Sequence, residues 1–277
     1  MTSMRTSTVS FPALLTLTFA MTVQTGCKRP PAAPAELDQL CAYLFTHFDD
    51  EDPAALEVGI DNLEAWLDLS LEETLEGYEV SVLEQSAVDA LDDVDRDLSG
   101  VVGAAVGYES HNSVMDQTYA LVIADQVAVF EGTYSEYTRE FLSDEECFMS
   151  QECDTARMLN SGVADYPFSL EITSSSWGDF RWVERGGSTF STGEYSLAHR
   201  TYLTGPAEVN VDWVQVREQY YLDIVMPRDD GALKLQATWF VAELGDAPLP
   251  ENMALQLVIG SMQDSGGKID DWIDENL

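Results

Sequence analysis

Few side chains in this sequence could do chemistry, and they are scattered. Three histidines, His47, His111 and His199, are the available imidazole bases. His47 precedes an acidic run at a helix end, and His199 sits beside Arg200 in a strand-like run, so both read as structural. His111, in Glu109-Ser-His-Asn112, falls at a strand-to-helix loop and is the least implausible base. The strained Gly-x-Ser-x-Gly elbow that exposes a nucleophile is absent, as are HExxH and paired CxxC, so neither a serine hydrolase centre nor a zinc site is expected. Asp93, Asp95 and Asp97 alternate like the opening of a calcium loop. However, Leu98 stands where the tight-turn glycine belongs and Ala104 where the bidentate Glu would close the shell, so no metal is assigned.

Two further sets remain. Arg181, Arg185, Arg200 and Arg217 gather in strand-like segments among Trp182, Tyr202 and Trp213; they could pair with carboxylates or serve a cavity for an anionic or amphipathic ligand. The long run Val211 to Met226 carries Val214, Val216, Tyr220, Leu222 and Ile224 on one face. Its other face reads Trp213, Gln215, Arg217 and Gln219, polar in the middle, and these four form the candidate ligand-binding set. Cys147 and Cys153 are expected to bridge a polar loop, with Cys41 bonded to either as the rival pairing; Cys41 falls among Leu37, Leu40, Leu44 and Phe45 on an apolar helical face.

Composition limits what these residues can serve. Against 13 Lys and Arg stand 50 Asp and Glu, a formal net charge of −37, and residues 36–95 hold 19 Asp and Glu and no Lys or Arg. Such a field repels phosphate backbones, so nucleic acid is excluded as a partner. A hydrophobic content of 45% supplies enough surface to bury, so the chain should fold. The acidity then reads as a solvated surface suited to external salt, or as a docking face for a basic partner or divalent cations.

At the N-terminus Arg5 precedes the 13-residue apolar run Phe11 to Val23, too short to span a bilayer, and then Gln24-Thr25-Gly26-Cys27. This layout resembles the signal peptide and lipobox of bacterial lipoproteins, with Gln24 in place of the usual aliphatic residue. The resemblance implies cleavage after residue 26, diacylglycerol and palmitate on Cys27, and export to a membrane. Lys28 in place of aspartate points by the same resemblance to the outer membrane, reached by export through the periplasm. Residues 27–35, rich in Pro and Ala, form a lipidated tether.

Beyond it, residues 36–97 read as a helical segment and 98–277 as an α+β domain. Leu37 to Phe48 keep a three-four rhythm, and Pro53 opens a second helix with Leu56, Ile60, Leu63, Trp66 and Leu67 on its stripe. Ser70 to Glu73 and Ser86 to Asp89 carry capping-box spacing and suggest two short helices. Val101 to Tyr108 suits a strand, and Ser113 to Asp125 a helix carrying Met115, Tyr119, Leu121 and Val122. Phe168 to Ile172, Phe180 to Val183, Tyr195 to Leu203, Val211 to Met226 and Leu233 to Leu244 read as an antiparallel meander, with Pro227 to Gly231 as a five-residue hairpin loop. A last helix starts at Pro250, breaks at Gly266-Gly267 and resumes with Ile269 and Trp272.

Helices, strand, helix, meander and C-terminal helix make an α+β order. It resembles the helix-grip order of START-like lipid-binding domains, which implies a sheet wrapped around the last helix and a cavity between them. The expected function is a membrane-anchored envelope lipoprotein binding a hydrophobic or anionic small ligand or an envelope protein, with no cofactor and no catalytic residue. The alternatives are a hydrolase or cyclase-like enzyme on the same fold and a purely structural envelope protein.

Overall fold

The computed structural model describes residues 32–166, 169–185, 194–245 and 253–277. The signal peptide, Cys27, Lys28, Phe168 and the expected helix start at Pro250 lie outside the described residues.

The N-terminal rhythm becomes α1 (Leu37–Thr46) and α2 (Ala54–Thr74). At Ser70 the backbone leaves helical dihedrals (φ −137°, ψ 24°), so α2 is two helices joined across a kink, and the second follows Ser70 as its spacing suggests. After a short β1 (Tyr78–Glu79), α3 (Gln85–Asp89) begins before Ser86, which therefore caps nothing. β2 (Val102–Ser110) leads to α4 (Val114–Val122), whose Ser113–Asp116 capping box satisfies the Ser113 and Asp116 amides. α4 buries Val114, Gln117, Leu121 and Val122, whereas Met115 and Tyr119 are exposed.

After α4 come α5 (Gln126–Val129), β3 (Tyr134–Phe141), α6 (Glu145–Met149) and β4 (Thr155–Tyr166). Cys147 and Cys153 at α6 are joined by a disulfide (Cα–Cα 5.2 Å), and Cys41 is a free thiol buried in α1. β5 (Leu170–Glu184) fuses two of the expected strands; β6 (Tyr195–Leu203), a short β7 (Glu208–Val209), β8 (Val214–Arg228) and β9 (Gly231–Leu244) follow. α7 (Met253–Asn276) runs unbroken through Gly266-Gly267. A Cβ at Gly266 would lie 2.6 Å from the Tyr108 ring, so this glycine lets β2 and α7 close on each other.

All pairings are antiparallel, in the order β1-β2-β9-β8-β6-β5-β4-β3, with β7 against β5. The β8–β9 hairpin turns on Asp229 and Asp230 alone, because β8 continues to Arg228, which pairs with Gly231. Gly231 (φ 144°) is required there, since its α-carbon passes so near Ser110 that a Cβ would lie 2.0 Å from that carbonyl oxygen.

The architecture is thus α+β, an antiparallel meander with a long C-terminal helix, and each face of the sheet is covered. On one face α1 and α2 bury Leu44, Phe45, Ile60 and Leu63 against Tyr220, Leu222, Ile224, Leu235 and Trp239. Three of the four expected arginines, joined by Arg228, fasten this layer. Arg185 reaches Asp61 (2.8 Å) and Glu64 (2.5 Å), Arg228 reaches Glu64 (2.9 Å) and Asp68, and Arg200 bridges Asp49 (2.5 Å) and Asp179 (2.9 Å). Arg181 donates to the carbonyls of Phe48 (2.6 Å) and Asp50 (2.8 Å) just past α1. The other face is covered by α4 and α7, with Ile269 and Ile273 packed near Phe180, Trp182 and Val225, and Ile259 and Met262 on Ala104 and Val106.

Candidate functional site

The four residues expected to form a ligand site do not converge. β8 carries a one-residue bulge between Val216 and Glu218, so Gln215 pairs with Glu243 but Gln219 pairs with Phe240. Partners three apart in β9 point to opposite faces, and so do Gln215 and Gln219. Arg217, at the bulge itself, is about one-third exposed and pairs with Glu243 (3.1 Å) and Asp97 (3.6 Å) at the surface. Gln215 and Gln219 are exposed and Trp213 is half-buried. The common polar face read for these residues is therefore corrected. His111 is likewise a surface residue, bonded to Asp274 (2.8 Å), and His47 bonds Asp50 (2.7 Å). Asp93, Asp95 and Asp97 are exposed, and no cluster of three metal-capable side chains occurs among the described residues.

The polar interior is elsewhere, on the α7 face of the sheet. His199 of β6 pairs in register with Asp223 of β8, which pairs with Gln236 of β9, which pairs with Val106 of β2. Directly paired residues share a face with their Cβ atoms roughly 5 Å apart, so imidazole, carboxyl and carboxamide form one row across three strands. One step along, Lys234 pairs with Tyr108. Asp223, Lys234 and Gln236 are completely buried and His199 is 8% exposed.

One end of this group is well bonded. Lys234 Nζ donates to Gln117 Oε1 (2.6 Å). Gln117 Nε2 donates to Ser110 Oγ (2.9 Å) and to Asp270 Oδ1 of α7 (2.5 Å), and Ser110 Oγ donates to the same carboxylate oxygen (2.6 Å). His199 stacks on Phe180 with ring centroids 4.0 Å apart, and its Nε2 lies 3.1 Å from Thr201 Oγ1.

The other end is not. Tyr108 Oη, His199 Nδ1, both Asp223 oxygens and both ends of the Gln236 amide are buried and find no hydrogen-bond partner of good geometry among the described residues. A buried polar group left so costs the fold about 1–3 kcal/mol, and such groups are rare enough in folded proteins to need a reason. Their titration follows from the same surroundings. Burial pushes the Asp223 carboxyl up, partly offset by the Lys234 ammonium and by the Gln236 amide, which lies within hydrogen-bonding range of the carboxyl but short of good geometry. Burial pushes Lys234 down, against the pull of Asp223 and Asp270. His199 is pushed down to about 3 by burial and then by the positive charges of Arg139 and Lys234, so it is neutral at physiological pH. Burial also carries the Tyr108 hydroxyl well above its usual range, aided by Asp223 and Asp270.

If the Gln236 amide serves a ligand and not the fold, Gln236→Leu should stabilise the ligand-free protein by about 1–3 kcal/mol, because it removes two unbonded polar atoms and keeps the volume. Urea unfolding checks this, and a loss of stability would mean that the amide is bonded within the fold.

No protein-family model and no curated protein matches the chain. Among solved structures, the chain is similar to human STARD10 (9% identity, 72% of this chain and 82% of that one, TM-score 0.40). It is also similar to a STAR-related lipid transfer protein fragment from Xanthomonas axonopodis (11%, 65% and 97%, TM-score 0.40). A third is the di-domain ARO/CYC BexL from the BE-7585A biosynthetic pathway (11%, 80% and 62%, TM-score 0.42). At these identities and scores, what the interior does rests on its own residues.

Proposed function

We propose that this chain is an exported, membrane-anchored and non-catalytic protein that binds a hydrophobic small ligand between its sheet and α7. The carrying observation is the row of buried polar atoms without partners, on the face where the apolar side chains of α7 and β2 also meet. Ligand sites are mostly apolar with a few convergent polar groups, and unbonded polar atoms are what a bound ligand would complete. The cyclase- or hydrolase-like alternative would draw on the same row, since perturbed titratable groups often mark catalysis. It needs a group that exchanges protons near neutrality; burial drives His199 far from that range, which leaves that reading to Asp223, moved up, and Lys234, moved down but already bonded to Gln117.

Anchoring rests on Gly26-Cys27 and the short apolar run before it, and the outer membrane on Lys28. Cys27→Ser should move the protein from the membrane to the soluble fraction; unchanged fractionation would remove the anchor from the proposal. For binding, titration of the uncharged dye Nile red into the protein should give saturable fluorescence enhancement at a single site. No enhancement, or only non-saturable enhancement, would refute the binding reading.

A further inference from the structure

Resting on that binding reading, we infer that the interior site selects an uncharged amphipath whose head bears hydroxyl groups, of the alcohol or acylglycerol class, over one bearing a carboxylate. The inference follows from what each unbonded atom can offer. The two Asp223 oxygens chiefly accept, the Gln236 amide both donates and accepts, and Tyr108 Oη and the neutral His199 Nδ1 can take either role. A head group that completes this set has to donate to Asp223 and accept from Gln236 or Tyr108.

A hydroxyl does both. A carboxylate only accepts, and it would bring a second negative charge beside Asp223, with Asp270 also close to Lys234. The one buried ammonium there is already committed, Lys234 to Gln117 at 2.6 Å and to the field of Asp223 and Asp270. An ammonium head only donates, and it would meet the positive charges of Lys234 and Arg139, both of which already act on His199. The spacing of the row, roughly 5 Å from Asp223 to its partner Gln236, is within reach of two adjacent hydroxyls. Apolar company for a tail is next to it: Val106, the register partner of Gln236, packs with Ala104, Ile259 and Met262.

The experiment uses Nile red bound to the whole protein and displaces it at neutral pH with 1-monolauroylglycerol or with dodecanoate, which have the same chain length. The glycerol ester should displace the dye at a concentration at least about tenfold lower, the discrimination that one charge-assisted hydrogen bond supplies. In Asp223→Asn, with dye uptake retained, that preference should collapse as dodecanoate improves. Dodecanoate displacing as well as the ester from the wild-type protein overturns the hydroxyl selectivity while leaving the binding reading intact. A preference unchanged in Asp223→Asn overturns the role of this carboxyl, and Gln236→Leu, which keeps the charge, then reports whether the row is involved at all: an unchanged preference there too removes the row from the inference. Absence of dye uptake refutes the binding reading and this inference with it.

Discussion

Arg96→Ala is expected to cost the fold about 3–5 kcal/mol, whereas Arg217→Ala should cost less than about 1 kcal/mol. Arg96 has a fully buried side chain and donates to Glu218 (2.9 Å), to both oxygens of Asp92 (2.7 and 3.2 Å) and to the Leu203 carbonyl (3.0 Å). Its guanidinium also faces the rings of Tyr202 and Tyr220. Removing it leaves Glu218, itself only 7% exposed, with the Tyr220 hydroxyl as its remaining bond (2.9 Å). An uncompensated buried carboxylate is among the most destabilising lesions available to a point mutation. Arg217 lies one residue from Glu218, but its ion pairs are solvated and screened. Urea unfolding of the two variants measures the contrast, and equal losses would mean that the bulge does not separate these arginines as described.

The second large effect is on pH dependence. His199 is neutral in the folded protein down to about pH 3, while an unfolded chain protonates its histidines near 6.5. The folded value is depressed, so the associated stability is complete above about 6.5 and drains away as pH falls towards the folded value. Each unit in that window is worth about 1.4 kcal/mol, so acidification from pH 7 to 5 should cost the wild-type protein about 2 kcal/mol more than it costs His199→Gln. The groups facing this ring are Phe180, Thr201, Tyr221 and, across the register, Asp223, with Arg139 and Lys234 supplying charge. Glutamine keeps a polar group beside Thr201 and cannot titrate. Unfolding curves at the two pH values decide the matter, and equal acid sensitivity of wild type and variant would show that His199 is accessible to protons in the fold.

What the sequence shows and what it hides have local causes. α1, the start of α2 and β2 are legible because each is written by its own residues: a three-four apolar rhythm, Pro53, and a valine- and alanine-rich run. β3 is not, since it is an edge strand exposed along much of both faces and carries little alternation. The break expected at Gly266-Gly267 fails because Gly266 answers to a tertiary contact, the Tyr108 ring, and not to a helix end.

The interior row was hidden by two errors of one residue each. Counting β8 by twos misses the bulge at Arg217 and places Gln215, Arg217 and Gln219 on one face. Reading Pro227 to Gly231 as the hairpin loop makes Met226 face Ala232, which sets Asp223 opposite Leu235; the true two-residue turn sets it opposite Gln236. The signal was present in Tyr221-Leu-Asp-Ile-Val225 and Leu233-Lys-Leu-Gln-Ala237, where charged and amide residues interrupt apolar strands at alternate positions. No local pattern brings His199 and Tyr108 to the same face, because β6 and β2 meet only through the folded sheet.

The central claim is that the polar atoms between the sheet and α7 belong to a ligand. A crystal structure of the protein grown with 1-monolauroylglycerol tests it most directly. The account predicts the ligand between sheet and α7, with its hydroxyls within hydrogen-bond distance of Asp223 and the Gln236 amide and its chain along Val106, Ile259 and Met262. A structure in which Asp223 and Gln236 are satisfied by each other and by ordered water, with the glycerol ester absent or seated elsewhere, would contradict it.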